Sequence, residues 1–93
     1  MLIQSFNWDK KNEAHILRHK VTPDEAEEVF VDRFFYRRTG QGKYFGLGQT
    51  LDGRYLLVVF KKKTESRIRV VTARDMDAKE LKFYKKWLGG KRQ

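Results

Sequence analysis

The segment Arg67-Ile68-Arg69-Val70-Val71-Thr72-Ala73-Arg74 carries the residue types that point most clearly to chemistry. At strand spacing Arg67 and Arg69 share one face. Among such apolar neighbours an arginine needs an anionic partner, either a structural carboxylate or a bound phosphate. Arg74 breaks the parity and is expected past the strand end, near the start of a helix, where an arginine beside a helix N-terminus makes a phosphate cradle. Cleaving RNA without a metal requires a base for the 2′-hydroxyl proton, an acid for the leaving 5′-oxygen, and cations for the phosphorane charge. Arginine supplies the last by bidentate contact. His19, Lys43, Glu80 and Tyr84 carry groups suited to the proton transfers. Each also has an ordinary structural role: His19 can pack, Glu80 can close a helix cap, and Tyr84 lies in an apolar stripe. The residue types alone do not select among them.

Other chemistries find less support. His15 and His19 have the i, i+4 spacing of helical metal ligands, but no glutamate of an H-E-x-x-H motif lies between them and the chain has no cysteine. No metal site and no cofactor is expected. Glu25, Glu27 and Glu28 suit a helix cap and a solvated face, and no paired-acid motif suggests a two-metal nuclease. A Gly46-x-Gly48 pair without a following G-K-[ST] does not make a phosphate loop.

Net charge is +9 over 93 residues and is unevenly placed. Residues 1–46 hold 8 Lys/Arg against 7 Asp/Glu, whereas residues 47–93 hold 13 against 5. Such a basic half attracts polyanions, nucleic acid or an acidic protein segment. The turn Lys61-Lys62-Lys63, together with Arg67, is the candidate RNA-contacting surface. The interleaved Phe34-Phe35-Tyr36-Arg37-Arg38 and Lys43-Tyr44-Phe45 can stack bases, although a sheet core with basic residues facing out is the commoner use. Length fits one domain, residues 1–93, with a small core. The opening Met1-Leu2-Ile3-Gln4 has no signal-peptide pattern and no apolar run suits a membrane span, so a cytoplasmic protein without membrane association is expected.

Several elements must position these groups. Leu2 to Trp8 alternates and suits an edge strand; Asp9 can cap a helix reaching about Lys20, with Asn12, Ile16 and His19 on one face. Thr22-Pro23-Asp24-Glu25 is a capping box for a second helix with Ala26, Val29 and Phe30 on one side. Strands follow at Phe34–Arg38, Lys43–Gln49, Tyr55–Phe60 and Ile68–Thr72. Gly40-Gln41-Gly42 provides one turn, and Asp52-Gly53 predicts a type I′ hairpin. Tyr55–Phe60 is apolar on both faces, as a central strand requires. Asp77-Ala78-Lys79-Glu80 opens a last helix with Leu81, Tyr84, Trp87 and Leu88 inward, stopped by Gly89-Gly90. The result is an α+β fold: two N-terminal helices, an antiparallel sheet of four strands (five if the first stretch joins), and a C-terminal helix, with helices packed on one face.

In blocks across residues 6–84 the sequence resembles the BrnT-like ribonuclease toxins of type II toxin–antitoxin pairs. Phe6-Asn7-Trp8-Asp9 followed by Asn12, Ile16, His19 and Val21 resembles their opening, and Thr22 to Phe30 their next helix. Lys43-Tyr44-Phe45-Gly46-Leu47-Gly48, Gly53-Arg54-Tyr55-Leu56 with Val58-Val59-Phe60, and Ile68 to Met76 with Glu80 and Tyr84 complete the match. The resemblance implies a RelE-like sheet and ribosome-independent RNA cleavage. It also implies inhibition by a ribbon-helix-helix antitoxin, with operator DNA bound only through the pair. Position by position it implicates His19, Lys43, Arg54, Arg69, Arg74, Glu80 and Tyr84. Lys20 and Lys43 depart from the usual glycine and arginine, so the first helix can end differently and the bidentate fork at 43 is lost. The alternative is a non-catalytic basic module that binds RNA or an acidic partner.

Overall fold

A computed structural model describes residues 1–90. The elements are β1 (Ser5–Phe6), α1 (Lys10–Leu17), α2 (Pro23–Glu28), β2 (Phe35–Arg38), β3 (Lys43–Gln49), β4 (Tyr55–Lys62), β5 (Arg67–Asp75) and α3 (Ala78–Gly90). They form one five-stranded sheet in the order β1-β5-β4-β3-β2. β2 to β5 are antiparallel neighbours, as their short connections demand, but β1 adds parallel to β5. The expected sheet of four strands, or five if the first stretch joins, has five because that stretch does join at the edge, and the expectation of a purely antiparallel sheet is corrected to a mixed one. The parallel edge arises because the chain leaves β1 through two helices and three strands before its neighbour is laid down.

A second correction concerns the layers. β4 presents Leu56 and Val58 to one side, where they pack with Ile16, Val21, Ala26 and Val29 of the α1–α2 region. Leu57 faces the other side and packs with Leu47 and Tyr84, with Phe35, Phe45, Val59 and Trp87 against them. A sheet apolar on both faces has to be covered on both, so α3 lies opposite α1 and α2 rather than beside them.

Asp9 caps α1 and exchanges bonds with Asn12, whose buried side chain also donates to the carbonyls of Asn7 (2.9 Å) and Val70 (3.0 Å). That residue pins α1 to the edge of β5 just beyond the end of β1. The helix stops at Leu17, earlier than expected, because Lys20 turns into the left-handed region at φ 59° and the Val21 amide returns to the Ile16 carbonyl. His19 therefore leaves the Asn12–Ile16 face and is exposed. The Thr22 capping box forms as read from the sequence.

The type I′ geometry expected at Asp52-Gly53 is found at the other hairpin instead. Gln41 and Gly42 both have positive φ, the mark of a type I′ turn. At Asp52-Gly53 only Gly53 is positive, and the Thr50 amide bonds the Arg54 carbonyl, giving a three-residue loop. α3 continues through Gly89 and Gly90 instead of stopping before them.

Candidate functional site

β5 carries one irregularity that decides the site. Val59 pairs with Thr72 while Phe60 pairs with Val70, so Val71 is an extra residue and β5 changes parity there. Arg69 and Arg74, which simple alternation puts on opposite faces, consequently face the same way. Arg74 lies within the strand opposite Leu57, not past its end. Arg69 lies opposite Lys61, which in turn lies opposite Lys43. Lys43, Lys61 and Arg69 thus make one row of cations across three strands, on the face that also bears α3. The Arg69 and Arg74 rows are four β4 residues apart, roughly 13 Å at strand rise.

Between α3 and this face runs an open groove of about 450 Å³. Its floor is Phe45, Leu47, Leu57 and Val59, Phe35 and Phe83 stand in edge contact at 4.8 Å, and Arg37, Arg74, Lys79 and Glu80 bring charge to its rim. Arg74 grips Glu80 with two bonds, Nη1 to Oε1 at 2.8 Å and Nη2 to Oε2 at 2.9 Å. Glu80 Oε1 also accepts the Asp77 amide at 2.9 Å, and Asp77 caps back onto the Glu80 amide, so the expected second capping box is formed. The Arg74 bond, aided by the Asp77 amide and opposed by burial, holds the Glu80 carboxyl below the usual range; the same bond raises Arg74. The groove thus contains a fixed carboxylate beside a fixed guanidinium, over aromatic walls.

The remaining candidates are placed elsewhere. Arg54 ties Asp75 (Nε to Oδ1, 2.8 Å), Glu25 (3.1 Å) and the Lys20 carbonyl (2.7 Å) together, a clamp between the strand end and the α1–α2 corner. The Arg54 bond lowers Asp75; Glu25 is lowered first by the Thr22 amide and then by Arg54. His19 contributes its carbonyl to this clamp at 3.4 Å, far from α3's face. Arg69 holds Asn7 at 2.6 Å and Asp9 at 3.0 Å. Tyr84 is buried under α3 and donates to the Arg33 carbonyl at 2.6 Å; burial raises its hydroxyl pKa. Lys62 points to the opposite face over Tyr44, while Lys63 and Arg67 close the β4–β5 hairpin. Among the described residues no three His, Cys, Asp or Glu converge to hold a metal, and no helix is long and apolar enough to cross a membrane.

Sequence reasoning passes over Lys79 and Phe83 as site residues and reaches Arg37 only as part of an aromatic–basic run. Strand period two from Phe35 reaches Arg37, which stacks on that ring at 5.2 Å, and i, i+1, i+4 spacing joins Lys79 and Glu80 to Phe83 on α3. Both signals are present in the sequence, but they meet only once the two elements are placed face to face.

A five-stranded mixed sheet between helical layers, with a cation-rimmed groove under its last helix, defines a small basic α+β protein. Residues 8–80 match the family described as the ribonuclease toxin, BrnT, of type II toxin–antitoxin systems, and the chain belongs to that family. It is similar in fold to the crystal structure of the Brucella abortus ribonuclease toxin BrnT, with a TM-score of 0.61 and 20% identity. That match covers 78% of this chain and 96% of the Brucella chain. No curated protein matches it significantly.

Proposed function

We propose that this family member cleaves RNA without a metal, in the groove between α3 and the sheet. The observation that carries the reading is the Arg74–Glu80 pair held over aromatic walls, with Arg37 and Lys79 on the same rim. Glu80, kept ionised by its partners, takes the 2′-hydroxyl proton. The 2′-oxygen then attacks the adjacent phosphorus and the bond to the 5′-oxygen breaks, leaving a 2′,3′-cyclic phosphate. Arg74 has donors left over to bind the phosphorane oxygens, and Lys79 of the rim protonates the departing 5′-oxygen. Phe35, Phe45 and Phe83 stack the flanking bases. Lys43, Lys61 and Arg69, about two strand pleats away, bind the neighbouring phosphates rather than the scissile one. His19, Arg54 and Tyr84 have structural roles in this reading.

The fold in this reading is a RelE-like variant with an added parallel edge, and the protein works in the cytoplasm. Its partner is a ribbon-helix-helix antitoxin with an acidic covering segment, suited to the basic second half of the chain. Operator DNA is reached only through that complex. The test is induction in a bacterial host with RNA integrity followed, and digestion of RNA by the purified protein with and without EDTA. Cleavage in both digestions is expected; intact RNA with a folded protein contradicts the reading.

One observation favours a non-catalytic module instead: Arg54, Arg69 and Arg74 each already engage a carboxylate. A pure binder loses only affinity when Arg74 is replaced by alanine, whereas an enzyme also loses turnover on bound RNA.

A further inference from the structure

A second recess opens on the other side of the cation row. It is an open cleft of about 490 Å³ between α1 and the end of the β4–β5 hairpin. Lys11, His15 and Arg18 line it from α1 and its C-cap, and Lys61, Lys63 and Arg69 from the strands. Among the described residues no acidic side chain lines it, and the nearest carboxylate in contact with its lining is that of Asp9, paired with Arg69. Arg69 is oriented there by Asn7 and Asp9, so one charge of the cleft is fixed in place. Like charges gathered at one site repel, which costs stability unless an anion is bound.

We infer that this cleft is a second RNA subsite, which holds the backbone of the same single strand that enters the α3 groove. Two observations favour nucleic acid over an acidic protein segment. The first is continuity: Lys61 and Arg69 belong both to the cleft and to the row that borders the groove, so a strand leaving the groove runs along Lys43, Lys61 and Arg69 and turns over the β5 edge, beyond the end of β1, to reach α1. The second is chemistry. Protein interfaces draw their affinity from aromatic or aliphatic anchors in desolvated pockets, and among the described residues the apolar side chains that line this cleft are Val70 and Val71, both in β5. Cations without apolar anchors suit a repeating phosphodiester. The substrate is accordingly a single strand longer than the groove alone accommodates, and the cleft adds affinity without reading sequence. This inference rests on the RNA reading of the α3 groove.

The test uses labelled 2′-O-methyl RNA, which binds but has no free 2′-hydroxyl to attack, in lengths of roughly 4 and 12 nucleotides. Binding is followed by fluorescence anisotropy across salt concentrations. The variant is Lys11→Ala with Arg18→Ala, two exposed residues of α1 and its cap, with thermal melts to confirm the fold. The 12-mer should bind roughly 10-fold more weakly, with a log–log salt slope shallower by about 1.4, at ~0.7 for each phosphate no longer neutralised. Affinity for the 4-mer and cleavage of a short all-ribose substrate should be unchanged. An unaltered 12-mer affinity and slope in a folded variant overturns the cleft while leaving the groove in place. Intact RNA binding with lost affinity for a polyglutamate peptide assigns the cleft to an acidic protein instead. Wild-type protein that binds neither RNA length overturns the groove reading and this inference together.

Discussion

Arg54 shows how one side chain organises several carboxylates. It meets Asp75, Glu25 and two carbonyls of the α1–α2 corner. Removing it leaves those acceptors short of a donor, so Arg54→Ala should lower stability by about 1–2 kcal/mol, after discounting for its partial exposure. The pH dependence has a definite sign. Asp75, Glu25 and Glu80 are all lowered in the fold, so their stabilisation is present above the ordinary carboxylate range and is lost as pH falls through the lowered values. Thermal melts from pH 7 to 3 should fall below about pH 4.5 in the native protein and show a shallower acid limb in Arg54→Ala. A parallel acid limb in the two proteins would contradict the clamp. Lys20 provides a contrasting case: its φ of 59° is strained for a side chain but free for glycine. Lys20→Gly should raise stability by up to about 1 kcal/mol in denaturant titrations, and a loss would contradict the assigned turn.

At the level of elements, caps and turns are legible in the sequence and the layers are not. Thr22-Pro23-Asp24-Glu25 announces α2 because the cap is local chemistry. Thr22→Ala should cost about 1 kcal/mol, whereas Lys62→Ala, on an exposed position of β4, should stay within about 0.5 kcal/mol. Equal shifts in thermal melts would misplace the cap. The β5 bulge is invisible in the sequence, since nothing in Val70-Val71-Thr72 distinguishes a bulge from regular alternation. It nonetheless determines that Arg69 and Arg74 share a face. The side on which α3 packs is likewise a long-range matter, although the two-sided apolar pattern of β4 contains the clue. A close approach between layers supplies another check. A Cβ at Gly48 would meet the Val29 carbonyl at 2.7 Å and its side chain at 2.8 Å, and backbone cannot retreat cheaply. Gly48→Ala should destabilise by about 2 kcal/mol, and a neutral result would mean that α2 sits farther from β3.

Over the whole molecule, composition shows that a basic half exists and the fold shows where its charge goes. Arg54 is consumed by the clamp, Lys62 faces away over Tyr44, and the useful cations gather on one face and around one hairpin. Of the residues that the sequence singles out, Arg74 and Glu80 meet directly and Lys43, Lys61 and Arg69 align in a row. His19 and Tyr84 fall outside because a helix ends early in one case and a core forms in the other. Which cations gather depends on register and on the bulge, properties that composition does not record. Whether Glu80 and Arg74 cleave RNA in the α3 groove is tested most directly by single-turnover cleavage and binding with Glu80→Gln, a nearly isosteric change. Cleavage should slow by about 100-fold or more, with RNA affinity within a few-fold of the native protein. Cleavage at the native rate by a folded Glu80→Gln protein would contradict that assignment.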